Sequence, residues 1–555
     1  MKEQAYIIRS KAVFDSVHDE PYEAAILIEG KKIKKILPWD CRGYEQYPVT
    51  DYREKMIMSS FLDAHTHIFS GAVNASRFVC FELGSCKSAE ECVEKMAEFA
   101  RQNPDLKRLR GSGWFVGAWG NNELPDRYML DKAICDRPVY LQCADGHSMW
   151  LNSKALEEAK IVPRPDMKNG IVETDEKGEL TGMLLEPAAC APAMEKYMEF
   201  SDEEMLFIHE DFQKVLAANG IAAVSEMFAE DYTEETYHSY GLMKRMDEEK
   251  GLSAHVFVYT KLFGFTDFTP YFKMKAHFNS GHFHISGLKG FIDGVTETYT
   301  GLLLEPYTDR PETCGVGLPL WPREKMQEEI IAANAQGIQV RLHCIADGSV
   351  RMALDMYEKA AFRDGGRDVR NTVEHIENIH PDDLDRFAKL NVVASMQPYH
   401  LVLSNNDKIL QIGEERCRYE WPIRMLKEHG ARIAFGTDYP VVGLNPFKTI
   451  YAAIARKDDH GIPTGHNPWE TISLADALKS YTREAAYVYH TEKTMGSVEE
   501  GKDADLIVLD RNLFTSSPEE IRDASVYSTY FEGRYIYQKQ RKEGGYLHGT
   551  EKDVY

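Results

Sequence analysis

Two histidines one residue apart, His65 and His67, close the apolar run that starts at Phe61. An extended chain alternates its side chains, so both imidazoles point the same way, one pleat apart. Alone, such a pair is as often two unrelated surface histidines as a pair of ligands. Three other apolar runs end in comparable residues: Arg341-Leu342 leads to His343, Thr372-Val373-Glu374 to His375, and Gly436-Thr437 to Asp438. Four imidazoles and one carboxylate suit zinc, or another divalent first-row cation, better than calcium or magnesium. Any one of them could be a satisfied core residue, but all five at the ends of apolar runs is not a chance pattern. A sixth residue, Lys289, lies inside the run from His284 to Gly294, where an ammonium is costly to bury. It either snorkels or pairs with an acid, or it is carboxylated by carbon dioxide and bridges two metals.

These residues need elements that bring them to one place. Apolar runs at about 56–62, 221–227, 255–261, 285–292, 338–344, 371–376, 392–397 and 432–438 make eight strand candidates. Most intervals between them hold a helix and two loops, which is the pattern of a TIM-like (β/α)8 barrel. In such a barrel the C-terminal strand ends form one rim, where active sites are built. His65 and His67 then end strand one, Lys289 lies in strand four, and His343, His375 and Asp438 end strands five, six and eight. The first interval is too long for one crossover, so residues about 70–210 are expected to form an inserted subdomain with strands such as 114–119 and 139–144. A doubly wound open sheet is the alternative, but no glycine-rich phosphate turn follows the first strand. Short β-rich runs open the chain (5–8, 25–29, 33–37) and close it (504–509, 526–531, 535–538). Neither set alone closes a core, so they are expected to form one small β-sandwich domain from both termini. The expected division is 1–55 and 491–555 for that domain and 56–490 for the barrel with its insertion.

Composition narrows the class. The 555 residues carry 88 acidic and 65 basic side chains, a net charge of −23, which disfavours nucleic acid or an anionic membrane as partner. Hydrophobic residues at 43% and charged residues at 28% are ordinary for a globular chain. The N-terminus lacks a basic region followed by an apolar one, and no run reaches the length of a membrane span, so the expected location is the cytoplasm. The ten cysteines include no Cys-x-x-Cys pair; Cys80, Cys86 and Cys92 are evenly spaced at an interval that matches no zinc knuckle, and all ten are expected to be idle thiols.

The order His-x-His, Lys, His, His, Asp on strands one, four, five, six and eight resembles the amidohydrolase superfamily of metal-dependent hydrolases. Gly146-His147-Ser148-Met149-Trp150-Leu151-Asn152-Ser153 with Ala155-Leu156, the segment around Leu130-Asp131, and Ser395-Met396-Gln397-Pro398-Tyr399-His400 resemble its YtcJ-like branch, which includes N-substituted formamide deformylases. Gly501 to Asp510 is similar to the superfamily's return into its β-sandwich.

The resemblance implies one or two divalent ions, zinc foremost, and a small-molecule amide as substrate. His65 and His67 would bind the more buried metal, and His343 and His375 the second. Lys289, carboxylated by carbon dioxide in a dinuclear site, would bridge them. Asp438 would bind the first metal and shuttle a proton from a metal-activated hydroxide to the departing nitrogen. Deaminase relatives carry a glutamate three residues after the strand-five histidine; here that residue is Ala346, with Asp347 a weak substitute, which ranks C–N hydrolysis of an amide or N-acyl or N-formyl group above deamination. Carbamate or ester hydrolysis uses the same carbonyl chemistry, and a catalytically silent binding or regulatory protein on the same fold is the alternative from another class. By family analogy a homodimer is one expectation, which the sequence itself does not address. The insertion is expected to cap the barrel mouth, giving Trp119, Asp145 and His147 as substrate contacts beside Tyr299, Gln397 and His400 from the barrel. Arg456 is expected to be a structural ion-pair partner, and His209, His255, His277 and His282 to be bystanders.

Overall fold

The computed structural model describes residues 5–539 apart from 117–118, 120–123, 145–147, 168–169, 229–230, 263–264, 316–321, 404–407 and 466. Eight parallel strands follow one another in chain order around a barrel: Phe61–Thr66, Ile221–Glu226, His255–Lys261, Phe283–Phe291, Gln339–Cys344, Thr372–His375, Val393–Met396 and Arg432–Phe435. The eighth meets the first just beyond its last strand residue. Thr66 bridges Tyr439 in parallel, the Asp438 amide donates to the His65 carbonyl at 2.6 Å, and the His67 amide donates to the Tyr439 carbonyl at 2.8 Å. Gly436 makes this approach possible, because a Cβ there would lie 2.4 Å from the His65 nitrogen and 2.7 Å from its Cβ.

The strands are apolar on both faces, as a sheet covered by helices requires. Helices such as Glu234–Lys250, Arg323–Ala335 and Asp347–Asp364 alternate with them. The first of these starts at Thr233, whose hydroxyl accepts from the Thr236 amide, and stops at Gly251 with φ +76°. Inside the barrel, away from the His65 end, Leu62, Phe257, Tyr259 and Ala434 pack with Tyr489 and Phe531 into one core. The Phe257 and Tyr489 rings stack at 4.2 Å.

Strands from both termini share one hydrogen-bonded sheet. Its joint is Ile57–Ser59, which runs parallel to Val13–Phe14 on one side and antiparallel to Leu506–Val508 on the other. Period-two alternation divides its apolar residues: Ile8, Ile26 and Ile28 join Leu506 and Val508 in one core, while Ile7, Ala25 and Leu27 join Leu37 in another. The apolar run at 56–62 therefore splits, ending in the terminal sheet at Ser59 and starting the barrel at Phe61. Ser60 is the crossing point, its amide bonded to the Asp505 carbonyl at 2.9 Å.

The chain divides into two compact units, residues 69–212 and the remainder. The 69–212 unit holds a six-stranded sheet in the order Ile171–Thr174, Leu180–Leu185, Ser148–Leu151, Val139–Cys143, Leu109–Trp114 and Val79–Cys80. The strand expected at 114–119 instead ends at Trp114. Within Leu109–Trp114, Gly111 sits where Leu83, Leu141 and Met96 fill the space of a side chain. No disulfide joins any of the ten cysteines, and no described helix is long and apolar enough to cross a membrane.

Candidate metal centre

Asp438 is the hub. It follows the eighth strand at φ +59°, a left-handed conformation that costs a non-glycine residue energy and turns its carboxylate into the barrel. Its two oxygens face different partners. Oδ1 lies 2.9 Å from His67 Nε2 and 3.4 Å from His65 Nε2. Oδ2 lies 3.6 Å from His400 Nε2 and 4.0 Å from His375 Nδ1. In each triad the three donor atoms are within 4.8 Å of one another.

The surroundings fix these groups. His65 Nδ1 is 2.7 Å from Glu374 Oε2, which leaves Nε2 to face Asp438. Glu374 in turn accepts from Arg341 Nε at 2.8 Å and Nη2 at 3.1 Å, and from the Thr372 hydroxyl. Arg341 Nη2 also donates to the Ala64 carbonyl at 2.6 Å, tying strand five to strand one. Asp63 holds the eighth strand's end: its carboxylate accepts from the Thr437 amide at 2.9 Å and hydroxyl at 2.7 Å, and from the His65 amide at 3.2 Å. Burial pushes the Asp63 carboxyl up to about 7. His375 also has left-handed φ, at +74°.

Protonation at His65, His343 and His375 suits metal binding. Burial, with the Lys289 charge, pulls His65 down to about 4 and His343 down to about 3, and burial holds His375 well below its ordinary value. These rings are neutral and can ligate. Burial alone would lower His67, but the bond to Asp438 outweighs it and raises the ring. Burial would raise Asp438, but the surrounding His65, His67 and His375 keep it well below the usual carboxylate range. Burial brings Lys289 down to about 8, against the pull of Glu374.

A divalent cation fits this donor set. Lys289 Nζ, His343 Nε2, both ring nitrogens of His375 and His400 Nε2 are buried with no hydrogen-bond partner among the described residues. So many unpartnered polar atoms in one place are costly unless a ligand engages them.

Of the residues expected from the sequence, His65, His67, His375, His400 and Asp438 come together directly. His343 packs its ring 4.3 Å from that of His375. Lys289 Nζ sits 5.1 Å from the Phe291 ring, which itself lies 5.3 Å from His343. Gln397 is buried, with Oε1 unpartnered among the described residues and its carbonyl accepting from the His400 amide at 2.9 Å. Tyr299 is engaged elsewhere: its hydroxyl donates to Asp309 Oδ2 at 2.7 Å and Arg310 lies 3.5 Å over its ring. Trp119 belongs to the 69–212 unit, stacked on Trp114 at 5.7 Å, while Asp145 and His147 lie outside the described residues. Asp347 opens the helix after strand five and accepts from the Leu304 amide at 3.0 Å, a structural task. Arg456 is buried and donates to the Trp421 carbonyl at 3.1 Å.

Sequence reasoning overlooked Glu374, Arg341, Asp63 and Glu226, whose Oε1 lies 3.9 Å from His67 Nδ1. Their signal was present: each is a charged residue inside or ending an apolar strand.

The amidohydrolase family model matches residues 49–537. The protein LONG AFTER FAR-RED 3 of Arabidopsis thaliana is 28% identical, across 96% of this chain and 91% of its own. YtcJ of Bacillus subtilis is 25% identical across 87% and 89%. The N-substituted formamide deformylase of Arthrobacter pascens is 24% identical across 93% and 95%. A crystal structure of an uncharacterized metal-dependent hydrolase from Pyrococcus horikoshii superposes with a TM-score of 0.74, at 23% identity, covering 96% of this chain and all of that one.

Proposed function

The chain belongs to the amidohydrolase family, in its YtcJ-like branch, and from that premise we propose that it is a metal-dependent hydrolase of a C–N bond in a small amide, N-acyl or N-formyl compound. The observation that carries this reading is the ionised, buried Asp438, with imidazoles against both of its oxygens at the closure of the barrel.

His65 Nε2, His67 Nε2 and Asp438 Oδ1 would hold the cation, zinc being the ion best matched to imidazole and carboxylate donors. When bound, a divalent cation polarises a carbonyl oxygen and lowers the pKa of water toward neutrality. The residues supply the rest. Glu374 keeps His65 in the tautomer with a free Nε2. Asp438, ionised at neutral pH, takes the proton of the attacking water with Oδ2. A C–O bond forms, the C–N bond breaks, and Asp438 delivers that proton to the departing nitrogen, giving an acid and an amine. Lys289 carries the other expectation: its lowered pKa favours the uncharged amine, the form that adds carbon dioxide, and the resulting carboxylate would serve His343 and His375 in a dinuclear centre.

Deamination lacks support, because Ala346 stands where that chemistry places a carboxylate and Asp347 is committed to Leu304. A silent regulatory protein would have no need of so many unpartnered buried nitrogens. The test is amine release from a panel of N-formyl and N-acyl compounds, with and without chelator. Release that stops on chelation and returns with zinc supports the reading; release of ammonia from an aminated ring, or none from any amide, contradicts it.

A further inference from the structure

We propose that His400 is a metal ligand, and that His375 Nδ1, His400 Nε2 and Asp438 Oδ2 form a second cation site whose filling slows turnover. This rests on the role given above to Asp438. The expected second site runs through Lys289 and His343 and needs a lysine carbamate. The donors in hand assemble a different one without it.

His400 lies in the short helical turn Pro398–Leu403 after strand seven, its amide bonded to the Gln397 carbonyl at 2.9 Å. The Thr437 main chain adjoins its ring, and Nε2 has no partner among the described residues. Trp421 packs edge-on against that ring at 6.0 Å. Trp421 is itself anchored, its amide on the Glu377 carbonyl at 2.8 Å and its own carbonyl on Arg456 Nη1 at 3.1 Å. A ring held in this way by an anchored indole, with Nε2 unpartnered among the described residues, is set to face a metal. His375 stands across from it with the two rings near parallel at 6.2 Å, and neither nitrogen of His375 has a partner among the described residues.

The spacing fits a small cation. Four tetrahedral donors at zinc–nitrogen distance lie about 3.3 Å apart; His400 and His375 stand 3.6 and 4.0 Å from Asp438 Oδ2. The first triad, at 2.9 and 3.4 Å and backed by Glu374, is tighter and fills first. Among the described residues no carboxylate hydrogen-bonds the outer side of either histidine in the second, wider triad, so it binds more weakly. Its occupant draws on the same oxygen that carries the proton, so a second equivalent of metal inhibits. Imidazole donors select zinc or cobalt over magnesium or calcium.

The test titrates the one-metal protein with cobalt(II), read by equilibrium dialysis and visible absorption, with amine release followed in parallel. A second equivalent is expected to bind, to lower turnover as it fills, and to bind equally in bicarbonate-free and bicarbonate-supplemented buffer. In His400→Gln its dissociation constant is expected to rise about 100-fold or more, with the first equivalent retained. A second equivalent that requires bicarbonate, or that survives His400→Gln unchanged, overturns the proposal, as does a wild-type protein that takes only one. The bicarbonate comparison uses the unmodified protein and decides the matter even if the variant fails to fold. A protein that binds no metal at all would defeat the proposed function as well, whereas one that binds a single, activating equivalent would defeat only this site.

Discussion

Asp438 combines three properties that rarely coincide in one carboxylate: deep burial, ionisation and a left-handed backbone. If it moves the proton, Asp438→Asn should keep the first cation while turnover falls about 10²- to 10⁴-fold; metal analysis beside amine-release kinetics checks both halves. Glu374 acts through His65. Glu374→Gln should weaken metal binding about 10- to 100-fold, and chemical denaturation should show a loss of about 3–5 kcal/mol, because Arg341 is left charged and buried without its acid. The histidines proposed as ligands stand out in the sequence because each ends an apolar run. Glu374 and Arg341 were not singled out, since their purpose appears only when strands five and six face strand one across the barrel. His400 was expected as a substrate contact, and its approach to Asp438 depends on a turn that no sequence periodicity marks.

At the scale of elements, the site exists because strand eight can lie against strand one. Gly436 is the hinge of that contact. Gly436→Ala would press a methyl group against the His65 backbone, so it should cost about 1–3 kcal/mol or more and lower cation affinity, although residue 436 touches no donor nitrogen. A calorimetric scan and a metal titration read the two effects. The eight strands themselves were largely legible from apolar runs and their spacing. Two boundaries were not. The 56–62 run is continuous in sequence, and only its pairing with Leu506–Val508 shows where the terminal sheet stops. In the 69–212 unit, Gly111 is a strand residue because its neighbours fill the space of a side chain, a fact that composition cannot show.

Across the whole molecule, an ionic cluster binds the terminal sheet to the barrel. His282, at the entry to strand four, sits 2.6 Å from Asp247 of the helix Glu234–Lys250 and 3.3 Å from Glu532 of the C-terminal turn. Burial would lower His282, but these two acids outweigh it and raise the ring to about 9. A histidine raised in the folded state contributes its stability fully below about pH 6.5 and loses it as pH climbs through about 9. The contribution is on the order of 3 kcal/mol. Urea midpoints at pH 6 and pH 10 should therefore differ by less in His282→Gln than in the parent protein. This histidine was set aside as a bystander from sequence alone, since its partners come from a distant helix and from the C-terminal end of the chain. If side chains from separate strands of one barrel converge to hold a divalent cation, metal should accompany the protein through purification. The most direct measurement is the metal content of the purified protein beside that of a His65→Ala, His67→Ala double variant. At least one equivalent of zinc or a related ion in the first, and none in a folded second, is the expected result; a metal-free parent protein, or equal content in both, would contradict the account.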